Sequence, residues 1–87
     1  MEAEDLLREL EECAQRLGVE VRRDKGDFEG GLCRIGTERR IYLNEKAPVL
    51  RQVRILAREL AQLGADQVYL VPVVRDLIDE YASEGAD

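Results

Sequence analysis

The sequence predicts an α+β domain: a helix, a three-stranded antiparallel sheet, a long second helix, a short extended segment and a C-terminal helix. Apolar residues recur at helical spacing up to Leu17, alternate with polar ones from Val19 to Asn44, and return to helical spacing after Pro48. Glycines stand at the joints, with Gly18 after the first helical run, Gly36 between two strand-like runs and Gly64 after the second helix. The length, 87 residues, suits a single domain with one modest core.

The first helix rests on Ala3, Leu6, Leu7, Leu10, Cys13, Ala14 and Leu17 as one apolar stripe. Glu4 and Asp5 crowd its first turn, where the macrodipole favours acids. After Gly18, Val19 and Val21 alternate with Glu20 and Arg22, as in a half-buried strand, and RDKGD reads as a turn. A second strand runs Gly30 to Ile35, GTE reverses the chain, and a third strand runs Arg39 to Asn44 with Ile41 and Leu43 on one side. Gly30 and Gly31 mark a bulge or a close backbone approach. The expected product is an antiparallel meander with one face on the helices.

Pro48 fits the first turn of the second helix and Gly64 its C′ position. The sixteen residues from Pro48 to Leu63 make a rod of roughly 24 Å. A helical wheel groups Val49, Leu50, Val53, Leu56, Ala57, Leu60, Ala61 and Leu63 on a wide apolar face. Arg51, Arg54, Arg58 and Gln62 fall opposite, around Ile55. DQVYLV follows as an extended run, and Pro72 opens a third helix with Val73, Val74, Leu77, Ile78 and Tyr81 as its stripe. Residues 84–87 are expected to fray.

Charged residues make up 37% of the chain and the net charge is −6. The charge is unevenly spread: ten Lys/Arg stand against five Asp/Glu from Val21 to Arg58, while the flanks carry three basic and fourteen acidic residues. A basic middle between acidic ends either pairs with its own flanks or attracts an acidic partner. Few Asn, one Met and no His beside many Glu and Arg give a thermophile-like composition. No run approaches the roughly 18 apolar residues that span a bilayer, and MEAEDLLRELEE lacks the basic-then-apolar order of a signal peptide. A cytoplasmic protein without membrane contact is the expectation. Cys13 and Cys33 are too few for a disulfide framework or a zinc ribbon, and both are expected inside as small hydrophobes.

The stretch IYLNEKAPVLRQVRILARELAQLG, Ile41 to Gly64, resembles the start of the ImmA/IrrE-type zinc metallopeptidases. Asn44 and Pro48 fall in that family's strand-to-helix loop, and Leu56, Ala57, Glu59 and Leu60 agree with its metal-binding helix. The resemblance places the two histidine ligands at Arg58 and Gln62 and the general base at Glu59. The family's domain is longer, so its third ligand has no counterpart here. What the resemblance implies is a pseudo-peptidase remnant. A catalytic zinc needs three ligands and an open position, whereas Arg58 carries a permanent positive charge and Gln62 offers only a neutral oxygen. No metal or other cofactor is expected.

Other chemistries find little footing in these residues. Cys33 stands beside Arg34, but the chain has no histidine to act as its base and no Cys-x-x-Cys pair. Gly26, Gly30 and Gly31 do not make a phosphate-binding loop. The carboxylates of the first and third helices read as solvated faces. The expected role is therefore a non-catalytic interaction module, binding an unknown protein partner or a second copy of itself through Val68–Val74 or the exposed side of the second helix. The alternative is an anion- or nucleic-acid-binding domain using Arg51, Arg54, Arg58 and Gln62 with Arg39 and Arg40 of the hairpin. The acidic balance and the shortage of aromatics disfavour nucleic acid.

Overall fold

The computed structural model describes residues 1–84, built as α1 (Ala3–Arg16), β1 (Glu20–Asp24), β2 (Gly30–Ile35), β3 (Glu38–Asn44), α2 (Val49–Gln62), a 3-10 turn (Ala65–Gln67) and α3 (Pro72–Ala82). The expected extended run DQVYLV is instead this 3-10 turn followed by irregular chain. An α+β architecture results, with the helices gathered on one face of a three-stranded sheet. Among the described residues no helix is long and apolar enough to cross a membrane.

The sheet is mixed, not the antiparallel meander that the strand pattern suggests. Its order is β1-β3-β2, with β1 parallel and β2 antiparallel to β3. The physical reason is the distribution of apolar side chains. On its inner face β3 carries Ile41 and Leu43, both fully buried, while β1 and β2 offer only half-buried Val21 and Leu32. The most apolar strand takes the centre, where burial is greatest, and the charged and glycine-rich strands take the edges.

That order requires the chain between β1 and β2 to cross the end of β3. Asp24 pairs opposite Asn44 and Gly30 opposite Leu43, so the crossing starts and finishes at the same end of β3. Asn44 pins it: the side-chain nitrogen donates to the Gly26 carbonyl at 2.8 Å and the Phe28 carbonyl at 2.7 Å. Its Oδ1 accepts from the Lys46 N–H at 3.0 Å. Gly30 sits in the left-handed region at φ +100°, and a Cβ there would lie 2.5 Å from the Tyr42 carbonyl oxygen. The close approach expected at this glycine is therefore between β2 and β3.

In the core, α2 is the central helix. It packs against α1, α3 and the inner faces of β2 and β3, so its buried arc is wider than one face. Val53, Leu56, Ala57 and Leu60 are buried as expected, but so is Ile55, which the wheel sets among the arginines. Leu50, placed on the apolar face by the wheel, is 68% exposed. Gln52 is buried and donates to the Ala47 carbonyl at 3.0 Å, closing the first turn of α2. Cys13 lies in the core, whereas Cys33, expected inside, is exposed on an edge strand. Of the tail expected to fray, Glu84 is engaged in an ion pair with Arg54; residues 85–87 lie outside the described part.

Candidate interaction surfaces

The six residues expected to form one polar stripe fall into four separate neighbourhoods. Arg51, Arg54 and Arg58 converge, lining a shallow cleft of about 200 Å³ with Ile55 and with Glu29 from the crossing loop. Two of the three guanidinium groups have acidic partners. Arg54 meets Glu84 at 2.6 Å, a contact that raises the arginine's pKa further above its ordinary value. Arg58 meets Glu59 at 3.1 Å. Among the described residues Arg51 has no carboxylate within ion-pair distance. Gln62 points elsewhere and donates to the Ala82 carbonyl at the end of α3. Arg58, Glu59 and Gln62 therefore share a helix but not a common cavity.

The hairpin arginines belong to other neighbourhoods. Arg39 donates to the Leu17 carbonyl at 2.8 Å, satisfying an otherwise open acceptor at the end of α1. Arg40 alternates to the opposite face of the sheet, where it pairs with Glu20 at 2.9 Å, lies 3.6 Å from Glu38 and donates to the Tyr42 hydroxyl. Arg22 and then Arg40 hold the Glu20 carboxyl below the usual range. No continuous stripe joins Arg39 and Arg40 to α2. The period-two pattern that separates them was already in the sequence, since neighbouring residues of a strand face opposite ways.

Beside β2 lies a larger open groove of about 460 Å³, lined by Asp24, Phe28, Glu29, Gly30, Gly31, Leu32 and Tyr42. Sequence reasoning missed this groove, because its wall is the loop that straddles β3. Phe28 folds back on that loop: a Cβ on Gly26 would stand 3.2 Å from its ring.

The third surface is the stretch from Val68 to Val74. Val74 is fully buried and Val68 and Leu70 are partly so, while Tyr69, Val71 and Val73 are 71%, 38% and 49% exposed. This exposure does not come from a loose loop. Arg75 donates to the carbonyls of Ala65 at 3.0 Å and Val68 at 2.8 Å, and Arg16 to that of Tyr69 at 3.1 Å. Two guanidinium groups thus fix the backbone and leave a ridge of apolar side chains facing solvent. Glu9, Glu12 and Arg16 of α1 border it.

Among the described residues, no three His, Cys, Asp or Glu side chains converge as a metal-ligating set. Burial pushes the Cys13 thiol up from its ordinary pKa. No family model, curated protein or solved structure matches this chain.

Proposed function

We propose that the chain is a non-catalytic interaction module, working in the cytoplasm, that self-associates through the ridge Tyr69–Val71–Val73. The observation that carries this reading is the clamped backbone beneath exposed apolar side chains. The clamps satisfy carbonyls of the connector into α3, and because they also fix the backbone beneath Tyr69, Val71 and Val73, little backbone entropy remains to be lost when those side chains are covered. The border carries both signs, Glu9 and Glu12 beside Arg16, so a two-fold contact can set the cation of one copy against a carboxylate of the other. Free Cys13 and Cys33 are compatible with a reducing compartment. The resemblance of α2 to the ImmA/IrrE helix fits the same reading, as a scaffold keeping its shape with Arg58 and Gln62 in the ligand positions.

The test is sedimentation equilibrium of the wild type and of the Tyr69→Glu, Val73→Glu double variant. The wild type is expected to form a reversible dimer in the micromolar range, and the variant to lose at least about tenfold in association. Both positions are exposed, so the urea unfolding free energy should shift by no more than about 0.5 kcal/mol. A wild type that stays monomeric, or a dimer unaffected by the two glutamates, overturns the reading.

A further inference from the structure

The groove beside β2 carries an inference independent of the ridge. We infer that it binds a cationic side chain, a guanidinium or ammonium group, presented by an extended basic peptide. Three features converge on this chemistry. Two aromatic rings, Phe28 and Tyr42, line the groove, and the face of an aromatic ring attracts a cation. Two carboxylates, Asp24 and Glu29, line it as well, and neither has a cation within ion-pair distance among the described residues. The nearby cations of the sheet are already engaged: Arg22 and Arg40 both hold Glu20. Glu29 also borders the arginine cleft and contributes to the field on Arg54, so Asp24 is the principal counter-charge and Glu29 the lesser one.

The shape of the groove points to an extended peptide. Gly30 and Gly31, at φ +100° and +138°, line the groove without side chains. The groove runs across the sheet, from Asp24 of β1 over Tyr42 of the central β3 to Gly30, Gly31 and Leu32 of the edge strand β2, a span suited to an extended chain. A volume near 460 Å³ lies within the roughly 300–1,000 Å³ of small-ligand clefts. The acidic net charge of −6 favours encounter with a basic segment.

The experiment is a titration of the full chain, followed by amide ¹H–¹⁵N shifts, with acetyl-Gly-Ala-Arg-Ala-Gly-amide. The same peptide with citrulline in place of arginine serves as neutral isostere. Expected are saturable shifts confined to the neighbourhood of Asp24, Phe28 to Leu32 and Tyr42, with the citrulline peptide at least about fivefold weaker. Asp24→Asn, which preserves shape, should weaken the arginine peptide by a similar factor, and Phe28→Ala should do so if the loop stays folded. Absence of saturation, shifts spread over the acids of α1, or an equal response to citrulline overturns the proposal. None of these outcomes depends on Tyr69 or Val73, so the groove and the ridge stand or fall separately.

Discussion

Asn44 fastens the loop that carries the chain across the end of β3. As the last position of a strand it could have faced solvent, yet it is only 8% exposed and its side chain makes three hydrogen bonds. Two of them satisfy carbonyls of the loop that crosses over β3, and a carbonyl without a donor costs about 1–3 kcal/mol when buried. Asn44→Ala is therefore expected to lower the unfolding free energy by about 1–3 kcal/mol, as three part-buried bonds are lost. Asn44→Asp should cost at least as much, because a carboxylate has no donor to offer the Gly26 and Phe28 carbonyls and faces them with negative charge. Urea denaturation of the two variants measures this. If the aspartate variant were as stable as the wild type, the amide would not be what holds the crossing. Arg39 shows the same economy at another site: read from the sequence as a binding residue, it satisfies the end of α1.

At the level of elements, helix and strand existence was legible in Gly18, Pro48, Gly64 and Pro72 and in the change of apolar period, because those signals are local. What faces what was not. A wheel assumes one apolar face, but α2 is enclosed by two helices and the sheet, and this wider enclosure brings Ile55 inside and leaves Leu50 out. Strand order was hidden for a similar reason: it follows from the comparison of three strands competing for the centre, which no strand reveals alone. The structure sets a direct contrast within α2. Leu60→Ala removes a fully buried side chain and should cost about 2–5 kcal/mol, whereas Leu50→Ala should change stability by no more than about 0.5 kcal/mol. Comparable losses at the two positions, measured by urea unfolding, would mean that α2 is rotated from the arrangement described. Of the candidate site, the Arg51–Arg54–Arg58 cleft was legible as an i, i+3, i+7 spacing, while the groove of Phe28 and Tyr42 depends on the crossing loop and left no local signal.

For the whole molecule, the uneven charge of the sequence resolves in part within the fold. Glu84 meets Arg54, Glu11 meets Arg23, and Glu20 meets both Arg22 and Arg40, so acids from the termini and the first strand engage four of the ten cations of the basic middle. Pairs exposed to this degree are worth about 0–1 kcal/mol each, and their main effect is to shorten the list of cations left for a partner. The ridge of Tyr69, Val71 and Val73 is then the contact surface that depends least on charge, its Arg16 and Glu9/Glu12 border lying at the solvent-screened rim. Two modes of association separate cleanly on this ground. An apolar contact is insensitive to screening, while a contact through Arg51, Arg54 and Arg58 weakens as the Debye length shrinks. The decisive measurement is the wild-type dimer dissociation constant by sedimentation equilibrium as salt is raised from about 50 to about 500 mM. The ridge predicts a change of less than about threefold, and a fall in association by orders of magnitude, or no dimer at any salt, contradicts it.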